Sequence, residues 1–341
     1  MDNSLTRKRV TSYELRNTML KQLYISVQAD LQKVEDAIKS QLHSSQPVIN
    51  EIANYVIDNG GKRIRPALFL LSAKMAGASG DHLPKVAASF EMIHTASLLH
   101  DDVVDDANLR RGRPSSKAKW GNQISVLVGD FLWCKGCGLL VDHGSIKLLD
   151  VVTKSIVSVT EGVLLEISRQ NDVEMDEQGY FDIIRGKTAA LFAACCESAG
   201  HAAEVSEQFV IALKRYGMDL GMAFQLSDDA LDYVSDEKRF GKKAGGDLRE
   251  GRLTYPLIIA LKQANEDEKR AIRDALIADH LSDEQFQAVL AIIQKYKGVD
   301  ATIQLAHEYA DKAIESLSIF KPSMERDALT AAVNYTVERT V

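Results

Sequence analysis

The chain has 341 residues, 41 Lys and Arg against 48 Asp and Glu, and 45% apolar residues. Length and composition exclude a stapled mini-protein and chain-wide disorder, and a net charge of −7 argues against nucleic acid as a bulk partner. No unbroken apolar run is long enough to cross a bilayer, and MDNSLTRKRV leads into a polar stretch, so neither a spanning helix nor a secretory leader is expected.

In chain order, the apolar positions follow helical spacing. Leu15, Met19, Leu23 and Val27 share one face of a first helix over about 12–43. Helices over about 47–58, 65–77 and 83–106 follow, each with a proline near its start (Pro47, Pro66, Pro84), and Asn59-Gly60-Gly61 closes the earliest of them. A basic loop at 108–121 leads to helices over 122–142, 145–170, 176–185, 187–200 and 205–235. A second basic loop at 236–253 precedes helices over 254–263, 267–278, 283–295, 298–318 and 323–339, with Ser282 as an N-cap. No stretch alternates like a strand, and no composition shift marks a boundary. The expectation is one all-α domain over 1–341, an antiparallel bundle with few or no strands, on which residues 1–45 form an N-terminal helical extension. Cys134, Cys137, Cys195 and Cys196 sit in apolar segments without the spacing of a zinc site, and read as free core thiols in a reducing cytosol.

Two segments carry the chemistry. HDDVVDD and SDDALDY both contain D-D-x-x-D, giving Asp101, Asp102 and Asp105, then Asp228, Asp229 and Asp232. On a helix the outer pair of each motif, at i and i+4, projects from one face. Like charges at that spacing repel, and negative charge near a helix C-terminus opposes the macrodipole, at a local cost of a few tenths to ~1 kcal/mol each. A merely solvated face would mix in Lys or Arg, whereas these clusters follow the apolar runs MIHTASLLH and MDLGMAFQLS. Paired carboxylates without His or Cys favour a hard cation, magnesium over zinc, bridging to a substrate phosphate. No P-loop motif is present, so P-loop nucleotide hydrolysis is excluded.

With these motifs, the blocks GGKRIRP (60–66), EMIHTASLLHDDVVDDANLRRGRPS (91–115), GDFL (129–132), GKTAALF (186–192), FQLSDDALDY (224–233) and GKKAGGDLREGRLTYPL (241–257) make the chain resemble the trans-isoprenyl diphosphate synthases, and among them the long-chain polyprenyl type. The resemblance implies a helical barrel around a deep central cavity and repeated condensation of isopentenyl diphosphate onto an allylic diphosphate. It implies two or three magnesium ions held by Asp101, Asp102, Asp105, Asp228, Asp229 and Asp232. It assigns Lys62, Arg65, His94 and Arg111 to isopentenyl diphosphate, Arg110 to the allylic diphosphate and Lys242 to substrate binding, and makes Lys187, Thr188 and Gln225 catalytic residues at the allylic end. It makes the released diphosphate the final proton acceptor. It further implies a cytoplasmic homodimer whose greasy product brings transient membrane contact. Arg252 and Tyr255 depart from the family's usual Lys and Leu, and Lys243 from its Pro or Asn, which leaves roles for Lys242, Asp247 and Arg252 open.

Three other readings compete. A regulatory subunit of a heteromeric synthase should lose motif aspartates, and all six are present. A class I terpene cyclase should carry an Asn/Ser/Glu-type second motif. A farnesyl or geranylgeranyl synthase should carry a bulky floor before the first motif, where this chain has Ala96 and Ser97. Those two small residues lie ~6–8 Å below the diphosphate site at ~1.5 Å rise per residue, so a product of six to ten isoprene units, best eight, is expected unless they serve only close helix packing.

Overall fold

The computed structural model describes residues 23–58, 61–234, 244–278 and 280–338. The chain begins with helices α1 (Gln28–Gln41), α2 (Pro47–Asp58), α3 (Ile64–Met75) and α4 (Leu83–Val104). A hairpin, β1 (Leu109–Arg110) and β2 (Arg113–Pro114), and a short helix α5 (Ser116–Trp120) occupy the first basic loop. Then come α6 (Asn122–His143), α7 (Ile146–Ser168), α8 (Glu177–Ile184), a π turn (Arg185–Ala189), α9 (Ala190–Ala202) and α10 (Glu207–Val234). The chain continues with α11 (Gly246–Arg249), α12 (Tyr255–Gln263), α13 (Glu266–Leu276), α14 (Asp283–Lys295), α15 (Gly298–Ser316) and α16 (Met324–Val337).

Helix starts follow local chemistry. Ser115, Ser145, Asp176 and Ser323 each accept an N–H from the first turn of the helix they open. Asn265 with Glu268 and Ser282 with Gln285 form full capping boxes. The tight packing sits along α4 against α6 and along α10 against α9 and α15. Residues from nearly every helix join one apolar core.

Four sequence expectations need correction. The loop at 108–121 contains the β1–β2 hairpin: Arg111 (φ 53°) and Gly112 (φ 75°) both take the left-handed conformation that a two-residue turn between twisted strands requires. The helices expected over 176–185 and 187–200 are not separated at Gly186 but joined through the π turn, because Gly186 lies against Gly162 of α7. A Cβ on Gly162 would stand 2.4 Å from the Lys187 nitrogen, so this crossing needs glycine. The absence of an unbroken apolar run is a weaker test than it looks: helix α6 is long and apolar enough by length and composition alone to cross a membrane, since Asp130 and Lys135 interrupt its run without outweighing it, yet it packs along α4 as a core helix does. Finally, all four cysteines are free, but Cys134 is exposed, because α6 leaves one flank uncovered. The expected helix over 12–22 and the glycine cap at 59–60 lie outside the described residues.

Candidate active site

Helix α4 organises the site because it presents two unlike faces. Ile93, Ser97, His100, Asp101 and Val104 recur at helical spacing and line one cavity. Glu91, His94, Thr95, Leu98 and Asp102 follow the same period and line the other side. Successive residues are turned by ~100°, so neighbours in sequence part company.

The first cavity holds about 410 Å³ and begins at Asp101. Its walls are apolar, with Trp133 from α6, Ile156, Val163 and Leu164 from α7, and Leu191 from α9. Of the two small residues expected beside the growing tail, Ser97 lines this cavity. Ala96, 0% exposed, packs in the core and is not among the lining residues. Burial pushes the Asp101 carboxyl up to about 6, against the pull of nearby Lys187.

The remaining aspartates each have a specific neighbour. Asp102, 3% exposed, accepts from Arg110 Nε at 2.8 Å and lies 2.6 Å from Arg110 Nη2. Asp105, at the C-cap of α4, accepts from Arg252 Nη2 at 3.0 Å. Arg252 also reaches Glu250 at 2.7 Å and Asp247 at 3.6 Å, so it bridges the end of the first motif to the segment behind the second. Lys187, in the π turn, donates to Glu166 of α7.

The second motif closes α10. Asp229, 3% exposed, accepts from the Tyr180 hydroxyl at 2.6 Å and from Gln225 Nε2 at 2.7 Å. Thr188 Oγ1 donates to Gln225 Oε1 at 2.8 Å, which orients that amide. Burial pushes Asp229 up to about 7, against the pull of its two donors. Asp232 accepts the backbone N–H groups of Gly246 and Asp247 at 3.1 and 3.0 Å, and Asp228 lies half-buried on the same helix. Among the described residues no three Asp, Glu, His or Cys side chains form a ready-made metal cluster. The donor set nonetheless fits a hard divalent cation: it is all oxygen, and burial makes the negative charge on Asp101 and Asp229 costly until a cation meets it.

The second face of α4 turns to a cationic cavity of about 420 Å³, lined by Lys62, Arg65, His94, Arg111, Phe192 and Phe224. Arg65 lies over the Phe192 ring, 4.5 Å from its centroid, and its buried Nε has no hydrogen-bond partner. Burial lowers the Arg65 pKa and, reinforced by Arg65, Arg111 and Arg110, holds His94 well below its ordinary value. His94 is therefore a neutral imidazole among guanidinium groups. Glu91, buried on the same face, accepts from Arg63 Nη1 at 2.8 Å and supplies the local counter-charge. Arg63 and Arg111 both sit at positive φ, strain of ~1–3 kcal/mol each that the surrounding contacts must hold.

The fold thus gathers Lys62, Arg65, His94 and Arg111 around one cavity. Lys187, Thr188, Gln225 and Asp229 line a small pocket with Asp247 and Arg252. Arg110 faces Asp102, and Lys242 lies outside the described residues. Sequence reasoning passed over Arg63, Glu91, Glu166, Tyr180 and Tyr335. The first two lie inside the family-like blocks, Arg63 beside Lys62 and Glu91 one turn before His94; the other three are single positions on helices with no local signal.

A family model described as polyprenyl synthetase matches residues 46–293. The octaprenyl diphosphate synthase of Haemophilus influenzae is 39% identical over 310 residues, 91% of this chain and 94% of its own length. That of Escherichia coli is 37% identical over 310 residues, 91% and 96%. Among solved structures, a polyprenyl synthase from Caulobacter crescentus, complexed with calcium and isoprenyl diphosphate, superposes with a TM-score of 0.90 at 38% identity, covering 94% of this chain and 98% of that one. A decaprenyl diphosphate synthase from Rhodobacter capsulatus gives 0.90 at 35%, covering 94% and 99%.

Proposed function

The chain belongs to the polyprenyl synthetase family and is a prenyltransferase making long-chain polyprenyl diphosphates, and from that premise we propose how its own residues divide the work. The allylic diphosphate sits at Asp101 with its tail in the apolar cavity. Isopentenyl diphosphate sits on the opposite face of α4, among Lys62, Arg65, His94 and Arg111. The observation that carries this reading is the pair of cavities on α4, one apolar beneath a carboxylate, one cationic.

Magnesium, held by Asp101, Asp105 and Asp228 with Asp232 and Asp229 behind them, would supply Lewis-acid neutralisation of the leaving diphosphate. Lys187 and Arg252 add positive charge where the allylic C–O bond breaks: Lys187 acts on Asp101 and Arg252 pairs with Asp105. Thr188 orients the Gln225 amide, which in turn holds Asp229 in place. Arg65 and Arg111 offer forked N–H groups to phosphate, Lys62 a point charge, and neutral His94 a single N–H without further repulsion. The apolar walls keep water from the allylic cation, and the released diphosphate takes the final proton.

The product is proposed to be octaprenyl diphosphate, supported by Ser97 as a small wall residue and by the octaprenyl synthases among the relatives. A homodimer is proposed through the uncovered flank of α6 and α7, where Leu127 is 64% and Ile146 82% exposed. Transient membrane contact is proposed for product release, and the four free cysteines suit a cytoplasmic setting. Incubating the purified protein with farnesyl diphosphate, isopentenyl diphosphate and magnesium, then sizing the products, tests the reading. A product of twenty carbons or fewer, or none, overturns it.

A further inference from the structure

The segment Gly61–Arg63 leads into α3 and carries Lys62 to the cationic cavity. Its backbone is turned sharply, with Arg63 at φ 50°. A loop in that conformation keeps its shape only if its surroundings hold it. Both ends of the described chain do so. From the N-terminal side, the Tyr24 hydroxyl donates to the Lys62 carbonyl, and Glu35 of α1 accepts from Arg63. From the C-terminal side, Tyr335 in the last turns of α16 accepts from Lys62 Nζ, and the ammonium lies 4.8 Å from the Tyr335 ring centroid. Tyr335 is only 6% exposed, so its ring is a fixed platform.

A lysine is ordinarily a poor fixed donor, because its four-carbon stem samples many rotamers that binding must freeze out. Here one of three ammonium hydrogens is spent on Tyr335 and two remain for a ligand. The Tyr24 contact fixes the main chain at the same residue. We propose that Tyr335 and Tyr24, brought from opposite ends of the chain, are positioning residues that preset Lys62 for the diphosphate of isopentenyl diphosphate. This rests on the assignment of the cationic cavity to that substrate. Neither tyrosine lines that cavity, so each acts through Lys62.

Steady-state kinetics with both substrates varied tests the clamp in the whole protein. Tyr335→Phe keeps the ring and removes the acceptor. It should raise KM for isopentenyl diphosphate about threefold to tenfold, the range of one hydrogen bond, while kcat and KM for the allylic substrate stay within about twofold. Tyr24→Phe should move the same constant in the same direction by less. Lys62→Ala should raise that KM by about tenfold or more, and adding Tyr335→Phe to it should do nothing further, because the tyrosine then has nothing to position. An unchanged KM in Tyr335→Phe with a lowered melting temperature would assign it a structural role only and overturn the clamp. So would equal changes for both substrates, or additive effects in the double variant. If Lys62→Ala itself leaves KM for isopentenyl diphosphate unchanged, the failure lies with the assignment of the cavity rather than with the clamp.

Discussion

The two faces of α4 carry opposite chemistry one residue apart. Toward the apolar cavity stand Ser97 and Asp101; on the opposite face, beside the basic hairpin, stand Leu98 and Asp102, with His94 one turn earlier reaching the cationic cavity. Asp101 is half-buried at the mouth of the apolar cavity, and loss of solvent, with Lys187 pulling the other way and Asp105 nearby, pushes it up to about 6. Asp102 is matched by Arg110 and withdrawn from that face. A motif read as a unit therefore splits into a residue poised for a cation and a residue that already has one. The ~100° between successive side chains is enough to decide which is which.

The largest expected effect tests that split directly. Asp101→Ala should lower kcat by about 10²–10³-fold or more, because charge developing on the leaving diphosphate loses its stabilisation. Asp228→Ala should do likewise from α10. Asp102→Asn should cost turnover at least about tenfold less than Asp101→Ala, while its loss of the Arg110 pair lowers stability by ~1–3 kcal/mol, moderated because Arg110 is partly exposed. Rapid-quench turnover and thermal melts of the three variants decide this. Equal kinetic losses in Asp101 and Asp102 variants would mean that both serve the metal, and the division of the motif would fail.

Product length sharpens the comparison one turn earlier on the same helix. Ser97→Phe should place a ring across the tail's path and shorten the product toward about four isoprene units, since the ring fills a level ~6 Å below Asp101. Leu98→Phe, on the opposite face, should leave product length alone. Ala96→Tyr should mainly overpack the core at ~1–3 kcal/mol. Chromatography of the extracted products separates these outcomes, and a shortened product from Leu98→Phe would show that the two cavities are not independent.

These contrasts mark where the sequence is legible. The i, i+4 spacing of Asp101/Asp105 and Asp228/Asp232, and the i, i+4 placement of Gln225 against Asp229, follow from helical geometry alone, and the Gln225–Asp229 hydrogen bond is present. The Ser282 cap was readable for the same reason, because capping is local. What sequence could not give was rotation and distance. Nothing near Ala96 and Ser97 says which of the two meets the cavity. Nothing near Tyr180 or Glu166 announces partners 49 and 21 residues away. Gly186 reads in sequence as a break between two helices, whereas in the fold its missing side chain lets Gly162 approach and the chain runs on through the π turn.

The smallest expected effect is on stability against pH, where the two faces should pull in opposite directions. His94 is held well below its ordinary value by burial and the arginines around it. Below pH ~6.5 the unfolded chain takes up a proton that folded His94 refuses, so this residue makes stability fall as pH drops through that region. Asp101 is raised to about 6 by burial. Between its unfolded value near 4 and that figure, the folded chain holds a proton that the unfolded chain has lost. Its contribution is therefore greatest at low pH, declines as pH rises through this window, and is fully lost above about 6. Without metal, the His94 slope opposes the Asp101 slope between pH ~4 and 6.5, and Asp229, raised to about 7, adds to the Asp101 side, so the test reads each variant's difference from wild type. Asp101→Asn removes one slope, so it should be more stable than wild type at pH 7.5 by on the order of 1–2 kcal/mol, an advantage that should shrink as pH falls from about 6 toward 4. His94→Gln removes the other, leaving a profile that falls as pH rises from ~4 to 6. Urea midpoints for the three proteins across pH 4–8 read both slopes at once. Parallel curves would show that neither residue titrates abnormally and that the electrostatic contrast between the faces of α4 is smaller than their burial implies.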